Sequence, residues 1–77
     1  MQELLTYLVK EIVDDPDAVQ VRERSGQYTV TLELKVAEGD AGKVIGRSGR
    51  VAKALRDVLG IAAARERKRV NLDINSR

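Results

Sequence analysis

A chain of 77 residues that is 43% apolar, with no Trp, no Phe and two Tyr, can build one small domain around an aliphatic core. That is near the size at which a single core is only marginally stable. With neither cysteine nor histidine, a disulfide frame, a thiolate or imidazole zinc site and histidine acid–base catalysis are excluded, and no cofactor is expected. The net charge of +2 conceals a division: residues 1–40 carry four basic and nine acidic side chains and residues 41–77 ten and three, or −5 against +7.

In chain order, Leu4, Leu5, Leu8, Val9 and Ile12 recur at helical spacing and predict an amphipathic opening helix. Lys10 and Glu11 interrupt its apolar run and no basic segment precedes it, so it does not read as a secretion signal. No apolar run reaches membrane-spanning length, and a cytoplasmic location without membrane contact is expected. Asp14-Asp15-Pro16 stops the helix, because proline lacks an N–H and disfavours helix in the residue before it. Two alternating stretches follow around the turn signal Ser25-Gly26-Gln27. Val19 and Val21 face opposite to Gln20, Arg22 and Arg24, while Tyr28, Val30, Leu32, Leu34 and Val36 share one face. Tyr28, in phase with that face, is expected in the core. Such alternation belongs to a sheet covered on one side only.

After the break Glu38-Gly39-Asp40, Asp40 is placed to cap a short helix through Lys43-Val44-Ile45, which Gly46 ends as a left-handed cap. A longer helix is predicted from about Arg50 to about Ala63, burying Val51, Leu55, Val58 and Leu59. Arg65 to Arg69 is a charged connection. Val70, Leu72 and Ile74 then alternate with Asn71, Asp73 and Asn75 as a third strand. The order is α-β-β-α-α-β, an α+β domain over residues 1–77 with two layers, its helices on one face of a three-stranded sheet.

The most informative run is Val44-Ile45-Gly46-Arg47-Ser48-Gly49-Arg50. Glycine lets the backbone turn sharply and approach a partner closely, and the first N–H groups of the following helix favour an anion. Two glycines at this spacing are weak evidence alone, since they also serve simply to end one helix and start the next. Other phosphate loops fit badly. Gly39 stands only three positions before Gly42-Lys43, and Lys43 is followed by Val44, so there is no Walker loop. No Gly-x-Gly pair follows a strand, so there is no Rossmann fingerprint. With no acid–base pair, nucleophile or metal cluster in evidence, an enzyme is not expected.

In its context of strand, short helix, Val-Ile-Gly-x-x-Gly-Arg, longer helix and strand, the chain resembles a KH domain of type II. The resemblance is to the small bacterial RNA-binding proteins made of one such domain, and it covers nearly the whole chain. It implies a mixed sheet, and a loop of Gly46, Arg47, Ser48 and Gly49 that clamps about four nucleotides of single-stranded RNA. Arg47 would contact a phosphate, Ser48 would offer a hydroxyl or face solvent, and Ile45 would contribute to an aliphatic floor for the bases. Lys43, Arg50, Lys53 and Arg56 surround or follow the loop; one or two of them are expected to reach phosphates and the rest to solvate the helix. The resemblance also implies RNA-chaperone activity with links to cell elongation and division. Two other readings stay open: a protein-interaction module that pairs with another KH protein, and a single-stranded DNA binder. The long helix has more apolar surface than one sheet face needs. Val58, Ile61 and Ala62 are therefore expected at an interface with a second copy or a related KH protein.

Overall fold

The computed structural model describes residues 1–76; Arg77, the last of the ten basic side chains of the second half, lies outside the described residues. Its α-helices are α1 (Gln2–Lys10), α2 (Ala41–Ile45) and α3 (Arg50–Arg65), and its strands are β1 (Gln20–Ser25), β2 (Thr29–Val36) and β3 (Arg69–Ser76). Single 3-10 turns occupy Pro16–Ala18, Glu38–Asp40 and Arg47–Gly49. The predicted order and the α+β class are observed.

The sheet runs β1-β2-β3, with β1 antiparallel to β2 and β2 parallel to β3, and is therefore mixed. A hairpin suffices for the first pair, closed by the Gly26 N–H donating to the Thr29 carbonyl at 2.7 Å. The parallel pair needs a long crossover, which α2 and α3 supply. Register places Val30 opposite Val70, Leu32 opposite Leu72 and Leu34 opposite Ile74, so these side chains share one face. Together with Leu5, Val9, Val44, Leu55 and Leu59 they build the aliphatic core. Each fully buried Leu or Val there contributes about 1.5–3 kcal/mol. The other face, with Arg22, Arg24, Lys35, Asn71 and Asp73, carries no helix.

Helix α1 is fastened to β1 at its start: the Gln2 N–H donates to Glu23 Oε1 at 3.2 Å and its side-chain amide to the Val21 carbonyl at 2.9 Å. Its last turn stops at Lys10, before the Asp-Asp-Pro signal, because Ile12 and Val13 both fold back onto the Val9 carbonyl. Helix α3 ends in a Schellman turn, with the Arg67 N–H on the Ala64 carbonyl and the Lys68 N–H on the Ala63 carbonyl, both at 3.0 Å. Arg67 occupies the left-handed position of that turn with φ 59°. Glycine is usual there, and a side chain costs about 1–2 kcal/mol.

Three expectations are corrected. Tyr28 is 69% exposed, because the strand begins only at Thr29 and Tyr28 belongs to the hairpin turn. Val58 is 43% exposed on the outer side of α3, whose buried positions are Ala52, Leu55, Leu59 and Ala63; Val51 is half-buried. Asp40 makes no capping bond, since its carboxylate is engaged elsewhere.

Candidate nucleic-acid interface

The connection between α2 and α3 takes four residues, and its two glycines do different work. Helix α2 closes with the Gly46 N–H on the Gly42 carbonyl at 2.8 Å. Gly46 then adopts φ 76°, ψ 173°, a region essentially reserved for glycine. It is not the left-handed cap expected of it, although its φ is positive. A Cβ on Gly46 would lie 2.5 Å from Val51 Cγ2 and 2.9 Å from the Val51 nitrogen. The first turn of α3 is thus packed directly against the Gly46 backbone.

Ser48 (φ 56°, ψ 26°) and Gly49 (φ 75°, ψ 15°) follow as two left-handed residues in succession. The turn is closed by the Gly49 N–H on the Gly46 carbonyl at 3.2 Å. A Cβ built on Gly49 would meet nothing within 4 Å, so the space beside this residue is open. Arg47 and Ser48 are exposed at the tip, and Arg50 is exposed at the start of α3. Ile45 is 41% exposed at the end of α2, while its neighbour Val44 is fully buried. The loop therefore presents an apolar side chain, accessible backbone and guanidinium groups together, at the positive end of a 16-residue helix.

The basic residues around the loop are not equivalent. Arg47 and Arg50 make no ion pair among the described residues. Lys53 pairs with Asp57 at 3.2 Å one helical turn on, but both side chains are mostly exposed. Such a surface pair is worth only about 0.2–1 kcal/mol and is readily given up. Lys43 is committed elsewhere: its ammonium pairs with Asp14 and lies 3.6 Å from Asp40 Oδ1.

Asp40 is the one buried charged residue among the described residues, and its carboxylate accepts the N–H of Asp14 at 3.2 Å and of Asp15 at 3.0 Å. This brace ties the segment after α1 to the foot of α2 and so fixes the platform of the loop. Sequence reasoning missed it because its partners lie 25 and 26 residues away. The Asp40–Lys43 spacing of one helical turn was the only local signal. Burial works to raise the Asp40 pKa, but the Asp15 and Asp14 N–H groups and the Lys43 ammonium together bring it below the usual value. The Lys43 pKa is raised, chiefly by its hydrogen bond to Asp14, against the opposing effect of burial.

A depressed carboxyl pKa stabilises the fold fully above the unfolded value of about 3.9 and loses that contribution as pH falls through the folded one. The raised Lys43 pKa contributes below about 10.4 and is lost at higher pH. Thermal melts should therefore show wild-type stability falling at the acid end more steeply than that of Asp40→Asn. The variant should already melt lower at neutral pH, its amide serving one N–H where the carboxylate serves two. Superimposable pH profiles would remove the brace from the account of stability.

The profile of the KhpA/KhpB KH domain matches residues 2–74. The chain belongs to this family. The RNA-binding protein KhpA of Clostridium acetobutylicum is 53% identical over 74 residues, covering 96% of this chain and 99% of that protein. Its namesake in Chlamydia trachomatis is 46% identical, with 96% and 95% covered, and that of Borreliella burgdorferi 44%, with 94% and 88% covered. The match thus runs from the start of α1 into β3, and the Gly46–Gly49 loop lies within it. No helix among the described residues is long and apolar enough to cross a membrane.

Proposed function

We propose that this protein is a non-enzymatic binder of single-stranded RNA, acting in the cytoplasm, that grips about four nucleotides of backbone on the Gly46–Gly49 loop. The observation that carries this reading is the asymmetry of the two glycines: Gly46 is closed by Val51, while Gly49 faces open space beside exposed Arg47 and Ser48. A phosphate can approach the backbone at Gly49, where the dipole of the following helix favours an anion, although the Gly49 and Arg50 N–H groups are already taken by the Gly46 and Arg47 carbonyls. Arg47 and Arg50 supply charge-assisted hydrogen bonds, with Lys53 joining when it releases Asp57. Lys43 contributes through the brace that holds α2 and stays within that ion-paired group. Ile45 offers the apolar floor. Curated relatives named RNA-binding protein KhpA support RNA as the partner. An RNA-chaperone role linked to cell elongation and division is part of the same proposal, supported by the resemblance to the family.

Binding carried by cations on phosphates releases counterions, with a slope of log affinity on log salt of about −0.7 per phosphate neutralised for single strands. Fluorescence anisotropy with a labelled single-stranded RNA should give a slope near −2 for three such contacts, which is about −0.7 for each. A flat plot would overturn the backbone clamp in favour of neutral base-edge recognition. A matched DNA oligomer in the same assay separates RNA from single-stranded DNA as the ligand.

The working unit is proposed to be a dimer, homotypic or with a related KH protein. One loop without aromatic stacking binds weakly, and two linked loops gain through effective concentration. Ala54, Val58 and Ile61 recur at one-turn spacing on the outer side of α3; Ile61 is 65% exposed and Ala62 half-buried beside it. Sedimentation at micromolar protein should give a dimer for wild type and a monomer for Ile61→Asp. A monomeric wild type ends the homodimer, and a dimer that survives the substitution moves the interface away from this stripe.

A further inference from the structure

The segment after α1 meets the foot of α2 through groups that do separate work. The Asp40 carboxylate receives the Asp14 and Asp15 N–H groups, so this attachment uses the main chain of Asp14 and not its side chain. The Asp14 side chain is turned outward, 78% exposed, and its carboxylate pairs with the Lys43 ammonium. Lys43 already has a counter-charge one helical turn away, with Asp40 Oδ1 at 3.6 Å. Two carboxylates thus surround one ammonium, and the group carries a net charge of −1. Fastening the segment to α2 does not require the second carboxylate. Its place beside the loop gives it a consequence. Lys43 stands three residues before Gly46, about 4.5 Å along α2 at 1.5 Å per residue. Of the cations around the loop, Arg47 and Arg50 have no ion pair among the described residues, and Lys53 has a partner from its own helix. Lys43 alone among them is held by a carboxylate from a distant segment, 29 residues earlier.

We propose that the Asp14 carboxylate sets the affinity of the loop for RNA by competing with phosphate for Lys43. The inference rests on the RNA reading above. An ammonium is a compact charge on a flexible four-carbon stem, so Lys43 can exchange one anionic oxygen for another while α2 stays in place. The Asp40 carboxylate keeps its position during that exchange, being buried and held by two N–H groups. Asp14 is therefore a positioning residue that acts through Lys43, and it holds binding below what the cations of the loop can reach. The competing account is that the pair only fastens the segment to α2. In that case loss of the Asp14 charge lowers stability and brings no gain in binding.

Asp14→Asn tests this, because it keeps the shape and the main-chain N–H of the residue and removes the charge. Its melting temperature should stay near that of wild type, since so exposed a pair contributes little. Anisotropy with a labelled single-stranded RNA at low salt should show binding about two- to fivefold tighter, the worth of an exposed ion pair written as a ratio. The slope of log affinity on log salt should be steeper by about 0.7, because one more phosphate is neutralised. In a Lys43→Gln background the same substitution should change neither quantity. Glu11→Gln removes an exposed carboxylate of the same region that has no ion pair among the described residues, and it should leave the slope at its wild-type value. An unchanged affinity or slope in Asp14→Asn would overturn the proposal, as would a gain that persists without Lys43 or an equal change of slope in Glu11→Gln. Weaker binding together with a lower melting temperature would reduce the pair to a fastening. The slope of Asp14→Asn alone decides the matter if Lys43→Gln does not fold. Each of these results leaves wild-type binding, and so the RNA reading, in place. Wild type that retains no RNA would overturn that reading and the role of Asp14 with it.

Discussion

Gly46→Ala is expected to destabilise the domain by about 3–4 kcal/mol, a large fraction of the stability of a protein of this size. Two costs add. The backbone at φ 76°, ψ 173° is one that a side chain enters only with strain of about 1–3 kcal/mol. The added methyl would also lie 2.5 Å from Val51 Cγ2 and 2.9 Å from the Val51 nitrogen, forcing α3 away from α2. Relief by side-chain rotation is blocked, because a main-chain atom is among the obstacles. Gly49→Ala provides the contrast: its methyl meets nothing, and only the left-handed φ of 75° has to be tolerated, at about 1–2 kcal/mol. It should fold, melt a few degrees lower and lose RNA. Gly60→Ala serves as a control in the opposite direction. That glycine lies inside α3 with free space around it, and alanine there should stabilise by about 1 kcal/mol. Urea titrations of the three variants check the ranking. Equal stability of Gly46→Ala and Gly49→Ala would mean that α3 accommodates the methyl freely.

The features legible in the sequence are those set by local pattern. Alternation in residues 29–36 and 69–76 marks two strands whose core faces are as read, and the aliphatic spacing of α3 gives its buried side through Leu55 and Leu59. The loop between α2 and α3 is visible as glycines at the right spacing. What was not legible depends on contacts across the chain. Asp40 has the identity of a cap residue, but two N–H groups 25 and 26 residues away take its carboxylate. The ion pair of Lys43 with Asp14, 29 residues earlier, is likewise invisible in the local sequence. Tyr28 is in phase with Val30, yet the hairpin bond from Gly26 to Thr29 ends the ladder before it. The different roles of Gly46 and Gly49 follow from where Val51 packs, which no spacing rule contains.

Arg47→Asp together with Ser48→Asp should abolish RNA retention while leaving the fold intact. The backbone gives a reason for the second half of that expectation. Ser48 holds a left-handed conformation, φ 56° and ψ 26°, and aspartate is among the few residues that enter this region readily. Both side chains are exposed, and neither takes part in a hydrogen bond of the described structure that the substitution would break. The melting temperature should therefore change little. For binding, the variant removes one guanidinium and adds two carboxylates at the place proposed for the phosphates. Loss of a single charge-assisted hydrogen bond is worth about 1.5–3 kcal/mol. Adding the repulsion, affinity should fall by at least about a hundredfold. The same two carboxylates face the N-terminus of α3, where the helix dipole stabilises them, so the variant is in effect occupied by its own anions. That supplies an internal check: if the loop is an anion site, the variant should melt no lower than wild type even at low salt, where introduced repulsion would be felt most. A folded double variant that still binds RNA with wild-type affinity would place the interface elsewhere on the molecule.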